Sequence, residues 1–441
     1  MKRVSAFLVI ILLVVMEGCG GRSKQSTDSS ETVDVIANHA EKEPTMLNSM
    51  DIDEITVEAN DTLLNQSFVQ DIIYESYDDI ITVDVRRNYS SKKELILQDF
   101  MDVEYIVLET NDDFVNQGVV LDVGNEFMLV RNRLNDGDIF IYDRQGKALR
   151  KINHKGQGPE EYITYQNIIL DEEKGEIFIN NSSSQKIVVY DLYGNFKRSL
   201  KYNNEGLEYM FYTDIFNYDN DNLICYDEYN EEIGFELISK QNGSITKKIE
   251  ISFKEKKVLM QTTPADGGGI YVVGPAPRRS IIPFKGNWIL SEVSSDTVYS
   301  FLTNYSLRPF IVRIPSVQSM TPEVMLTLRV LSDRYYFMEI VKNEYNFSTR
   351  TGFPTTYFMY DRQEKAFWGY TLYNGDFSTK KELYLNRFTP VNHEVESWNR
   401  LEAYQLVESY KNGELKDGRL KDIAAKLDAE DNPVIMLIKH K

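Results

Sequence analysis

One unit occurs twice between residues 139 and 200 of this chain and limits what the chain can fold into. Ile139–Ile152 and Ile187–Leu200 both read apolar-x-apolar-Tyr-Asp-x-x-Gly-x-apolar, the pattern of a strand, a tight turn and a second strand. At Asp143–Gly146 and Asp191–Gly194 the Asp can hold the turn backbone while the Gly takes positive φ. Tyr142 and Tyr190 lie 48 residues apart, the length of one four-stranded blade. The hairpin returns at Phe235–Ile249, Val298–Ile311 and Tyr357–Tyr370. Taking Tyr142, Tyr190, Ile238, Phe301 and Tyr360 as equivalents gives spacings of 48, 48, 63 and 59, so five blades are visible. A sixth is implied by two strands without hairpins, EYIVLET early in the chain and DNPVIMLIKHK at its end, because a propeller closes by pairing its two ends within one blade. The expected fold is all-β: a six-bladed β-propeller of four-stranded antiparallel blades over residues 76–441, with small helical insertions.

The longer repeats leave room for those insertions. Thr262–Arg279 is rich in Gly and Pro and reads as a loop, whereas Thr321–Tyr335 opens on Thr-Pro-Glu, a helix-start signal. Trp398, Leu401, Ala403, Tyr404, Leu406 and Val407 fall at helical spacing, which places a further helix over Val395–Lys411.

The segment ahead of the blades has a different character. Residues 1–18 set Lys2 and Arg3 before an apolar run from Ala6 to Met16, too short to span a bilayer and laid out as a secretory leader. Gly18-Cys19 is similar to the lipobox of bacterial lipoproteins, in which the Cys becomes the lipidated first residue, although Glu17 stands where a small or apolar residue is usual. Cys19 is therefore the expected lipidation site and the link to a membrane. Residues 19–75 lack a sustained apolar period and are expected to form a flexible tether. With Cys19 acylated, Cys225 is the one thiol left, so no intramolecular disulfide forms; its setting in NLICYDE reads as a core strand.

Charge and motif content narrow the chemistry. Lys and Arg number 49 against 68 Asp and Glu, a net charge of −19 that opposes binding to nucleic acid. The four histidines, His39, His154, His393 and His440, do not make a multi-histidine zinc site, and no Gly-x-Ser-x-Gly nucleophile motif occurs. Acidic runs such as Asp219–Asn222 offer oxygen ligands without the spacing of an EF-hand, so no cofactor is expected beyond Ca²⁺. No catalytic residue is identifiable.

Lys155–Tyr162, KGQGPEEY, follows a YDRQGKALRKI hairpin and precedes a strand ending at Asp171. This resembles the hallmark of the six-bladed β-propeller lipoproteins of Bacteroides-type bacteria, an architecture related to NHL-repeat propellers. Gly156, Gly158, Pro159, Glu161 and Tyr162 match the motif, while Glu160 stands where the family has Gly. The resemblance implies the propeller fold and a place in the cell envelope. It also implies the periplasmic side over the cell surface, because no acidic run follows Cys19. The loop itself supports two readings: a ligand loop presenting Glu160 and Glu161, or a blade-to-blade connection with Tyr162 packed beneath it.

Arg278 and Arg279 stand out in so acidic a chain, and at the end of the Gly/Pro insertion they can reach an anionic ligand at the propeller mouth. Two functions remain open. The first is a binding or scaffold module, lipid-anchored in the envelope, for a glycan, peptide or protein partner. The second is a Ca-dependent propeller hydrolase or lyase with a central metal.

Overall fold

The IFIY and IVVY runs of the repeat have no polar face because neither face meets water. In the computed structural model, which describes residues 80–441 apart from 134–135, 166, 203–209, 233, 266–268 and 276–278, they are third strands sandwiched between neighbouring sheets. The leader, Cys19 and the tether over 19–75 lie outside the described residues, as does Arg278.

Strands β1 (Ile81–Asp84), β2 (Lys92–Ile96) and β3 (Asp102–Val107) come first, with a one-turn helix α1 (Leu97–Phe100) between the last two. Blade 1 follows as β4 (Val119–Val123), β5 (Phe127–Arg131), β6 (Ile139–Asp143) and β7 (Ala148–Ile152). Blade 2 is β8 (Ile168–Asp171), β9 (Glu176–Asn181), β10 (Lys186–Asp191) and β11 (Phe196–Lys201). Blade 3 is β12 (Tyr212–Asn217), β13 (Asn222–Asp227), β14 (Phe235–Ser239) and β15 (Ile245–Ile249). A hairpin of β16 (Gln261–Pro264) and β17 (Ile270–Val273) leads into blade 4, formed by β18 (Ile281–Phe284), β19 (Asn287–Leu290), β20 (Thr297–Phe301) and β21 (Leu307–Ile314). Blade 5 opens with β22 (Val324–Leu331) and β23 (Tyr335–Lys342), carries a small hairpin of β24 (Tyr345–Asn346) and β25 (Thr351–Gly352), and continues as β26 (Thr355–Asp361) and β27 (Ala366–Asn374). After β28 (Lys381–Leu383), which folds back on β27, blade 6 supplies β29 (Val395–Leu401) and β30 (Val434–Lys439), with helices α2 (Ala403–Lys411) and α3 (Arg419–Ala424) between them.

Alternation along each strand sends neighbouring residues to different interfaces. Ile139 and Ile141 pack between blades 1 and 2, while Phe140 and Tyr142 on the same strand pack between blades 6 and 1. Each of the six junctions around the ring has its own apolar cluster, so the sheets close on themselves. The repeated turn is built as its residues dictate. Asp143 Oδ1 accepts the Gln145 and Lys147 N–H groups, and Asp191 Oδ1 those of Tyr193 and Asn195. Gly146 and Gly194 take φ of 84° and 86°, and both hairpins carry a bulge before the Tyr. Cys225 is fully buried in β13 and free.

The ring closes as expected: β3 pairs antiparallel with β30 from Asp102↔Lys439 to Val107↔Val434. After a 3-10 turn over Leu385–Arg387, residues 388–392 run inside β29 as the innermost, irregular segment of blade 6 and touch it at Thr389↔Trp398. The N-terminal strands do more than close the ring. Before reaching blade 6 they cross the rims of blades 4 and 5, β1 lying parallel on β21 and β2 parallel on β27. This belt is tightly seated. Tyr89 stacks on Phe358 at 4.2 Å, and a Cβ on Gly369 would sit 2.5 Å from the Tyr89 carbonyl oxygen.

Three local expectations are corrected. Residues 262–279 contain the β16–β17 hairpin and are more than a loop, because Gln261–Pro264 and Ile270–Val273 satisfy each other's backbone groups. Thr321–Tyr335 holds strand β22, not a helix; every residue of VMLTLRVL is buried, and a run apolar on both sides suits a strand between two blades as well as a helix. Over Val395–Lys411 the helix begins only at Ala403, because Val395–Leu401 must pair with the terminal strand.

Candidate functional site

The first strands of the blades surround the channel, and they leave a cavity of about 1170 Å³. Strands β4, β8 and β12 form one wall, the 386–393 segment another, and Leu259, Gly274, Pro275 and Arg279 from the insertion before blade 4 complete it. The inner strands run in the same direction, so the channel has two chemically different mouths.

At the mouth where the inner strands end, carboxylates are taken up by the fold. Asp171 pairs with buried Lys240 at 2.7 Å, and Glu172 accepts the Asn125, Glu126 and Phe127 N–H groups at 2.6, 2.9 and 2.8 Å. Asp219 accepts the Asp221 and Asn222 N–H groups. Asp122 accepts the Leu170 and Val123 N–H groups, yet burial still pushes its carboxyl up to about 7. His393 packs edge-on against Trp288 at 4.8 Å, and burial brings its imidazole down to about 4.

The mouth where the inner strands begin is different, because buried groups there lack partners. Arg131 ends β5 opposite Val119, the first residue of β4, and Arg279 lies two residues before β18. Blades 1 and 4 are opposed in a six-membered ring, so the two guanidinium groups approach this mouth from opposite sides. Both line the cavity, and among the described residues Nη1 of each has no hydrogen-bond partner; nor has Asn386 Oδ1, also on the wall. Arg279 is only 5 % exposed. Burial brings it down to about 9, opposed by the nearby charges of Glu396, Asp214 and Glu339, so it stays a cation at neutral pH. Glu396 answers it: burial pushes this carboxyl up to about 7, partly offset by Arg279 and by the Leu331 N–H it accepts at 3.3 Å. Behind it, Arg329 and Glu339 form a buried pair at 2.5 Å. Among the described residues no group of three His, Cys, Asp or Glu side chains converges to hold a metal ion.

The sequence profile of a domain of unknown function, DUF4934, matches residues 80–439. The chain belongs to that family. No curated protein matches it. Among solved structures, a Bacteroides fragilis protein described as a candidate exported protein is similar at 15 % identity and TM-score 0.51, over 82 % of this chain and 99 % of that one. A DUF4221-family protein of Bacteroides vulgatus is similar at 8 % identity and TM-score 0.42, over 78 % and 99 %. At 15 % identity the likeness to the Bacteroides fragilis protein is one of fold.

In this DUF4934 chain the motif loop stands apart from the channel. Glu161 turns back to accept the Gly158 N–H at 2.8 Å, and Lys186 donates to the Pro159 carbonyl at 2.6 Å. Tyr162 is buried, donates to the Gly137 carbonyl at 2.6 Å and receives the His154 N–H. Gly156 approaches the Glu161 carboxylate so closely that a Cβ would meet it at 1.9 Å. Neither Glu160 nor Glu161 lines the cavity, whereas Arg279 does. Sequence reasoning missed Arg131, Asn386 and Glu396. The one visible signal was a charge ending or interrupting an apolar run, as Arg131 does after FMLV.

Proposed function

We propose that this chain is an envelope-anchored binding module whose ligand, a glycan or a peptide segment, enters the channel at the Arg131–Arg279 mouth. The observation that carries the reading is the coincidence of a cavity of about 1170 Å³ with buried, unpartnered polar atoms on its wall. Leaving such atoms unpaired costs about 1–3 kcal/mol each, and because these atoms are sealed from solvent a ligand removes that cost by drawing the side chains round into the channel. The cavity also exceeds the roughly 300–1,000 Å³ of ordinary small-molecule sites, which suits an oligomer better than a single metabolite.

The leader and Cys19 support anchoring through lipid, and no described helix is long and apolar enough to cross a membrane. Cys19→Ser should move the protein from the membrane to the soluble fraction; retention on the membrane would contradict the anchor. Binding itself is tested with glycan and peptide arrays on the wild type and on Val119→Trp, which places an indole in the mouth. Signals lost in the variant support the channel, and signals unchanged by it place binding elsewhere.

A further inference from the structure

We propose that the mouth between Arg131 and Arg279 takes the carboxylate of an acidic saccharide. This deepens the channel-binding reading and rests on it. Asp122, Asp171, Glu172 and Asp219 all accept backbone or lysine protons, so the acidic mouth offers little to a ligand. At the other mouth the groups without a partner among the described residues include a guanidinium nitrogen from each of two opposed arginines and one amide oxygen, with the Glu228 carboxylate on the same wall. Two donors of positive charge with an acceptor nearby match a carboxylate flanked by hydroxyl groups. Guanidinium is the side chain best shaped for that anion.

Local negative charge does not cancel the match. Asp214 and Glu228 line the same end, and Asp214 accepts the Ser280 N–H at 3.4 Å. The effect of Asp214, with Glu396 and Glu339, is to keep Arg279 protonated in a buried setting. The rim supplies the rest of a sugar site. Tyr357 and Tyr384 line the cavity yet are 44 % and 55 % exposed, large amphipathic rings left open to solvent beside the buried cations. A pyranose ring has an apolar face for such a surface and hydroxyl groups for its polar edge. A side chain of an acidic peptide would use the arginines equally well but has no comparable flat face, which favours the saccharide.

The test is calorimetric titration of the full chain with a tetramer of galacturonic acid, the same tetramer after carboxyl reduction, and a glutamate-rich peptide of equal charge. The acidic tetramer should bind, the reduced tetramer at least tenfold more weakly, and the peptide no better than the reduced tetramer. Arg131→Gln and Arg279→Gln should each lower affinity for the acidic tetramer at least tenfold. Melting curves accompany both variants; Arg131 is only half-buried, so its variant decides the matter if Arg279→Gln does not fold. Equal binding of the acidic and reduced tetramers, abolished by Val119→Trp, would leave the channel as the binding site and overturn the carboxylate. Binding of the peptide alone would overturn the saccharide while sparing the channel. No binding of any probe, or arginine variants that bind normally, would also overturn the inference.

Discussion

Blades 1–3 and blades 4–6 face the same hazard, an outermost strand with unpaired backbone groups, and resolve it by different chemistry. On the first half the outer strands β7, β11 and β15 are basic and have no further strand on them among the described residues; they carry Arg150 and Lys151, Lys197, Arg198 and Lys201, and Lys247 and Lys248. On the second half β27 reads AFWGYTLYN without a lysine or arginine, and β21 carries Pro309, Phe310 and Ile311 in its centre, flanked by Arg308 and Arg313. These rims are covered by β2 and β1, and blade 6 borrows β3 outright. An edge is thus protected either by charge or by pairing. Its composition records which: an apolar rim signals that another part of the chain lies over it.

The comparison breaks most completely at the closure. Removing residues 432–441 deletes β30, whose Val434–Ile438 core is wholly buried, and leaves β3 without its partner strand and β29 with only the Thr389↔Trp398 bridge. No cooperative melting transition should remain, and a truncated protein with wild-type melting would show the two chain ends to be peripheral. A smaller but still large effect is expected on the belt. Val83 is fully buried between blades 4 and 5, so Val83→Asp should cost about 3–5 kcal/mol by denaturant titration and expose the apolar rims to self-association. A belt that merely adheres would peel away instead, with melting unchanged.

Acidity tests the buried charge at the junction of blades 5 and 6. In the folded state Glu396 holds its proton up to about 7, against an ordinary 4.5, so its contribution to stability is fully present below 4.5 and is lost as pH rises through 7. Glu396→Gln has no proton to lose. Its stability relative to the wild type should therefore rise between pH 4.5 and 7.5, by on the order of 3 kcal/mol at most. A difference flat in pH would mean that Glu396 is ionised throughout. The smallest effect belongs to the bare half. Lys151→Val, Lys201→Val and Lys248→Val together should shift stability by only about 1 kcal/mol, yet increase aggregation in light scattering, because they make those rims resemble the covered ones without covering them.

These contrasts also explain what could be read in advance. The IFIY and IVVY runs, the Asp and Gly of each turn and the strands at either end carry local signals, so blade count and closure were legible. Strand β22 was not, because an apolar run buried on both faces has lost the alternation that separates strand from helix. The site was mostly hidden for a different reason. Arg131 and Arg279 lie 148 residues apart and line one cavity only because blades 1 and 4 face each other across the channel; Asn386 joins the wall from a segment with no regular pattern. The motif loop attracted attention with its Gly and Pro, but its glutamates lie away from the channel.

The central claim is that the channel mouth is a binding site formed by opposed arginines. The most direct measurement is a crystal structure of the protein soaked with the acidic tetrasaccharide. Density is expected for a sugar carboxylate within hydrogen-bonding distance of Arg131 or Arg279, with a ring against Tyr357 or Tyr384. Saccharide bound elsewhere, or a channel empty of it at saturating concentration, would contradict the account.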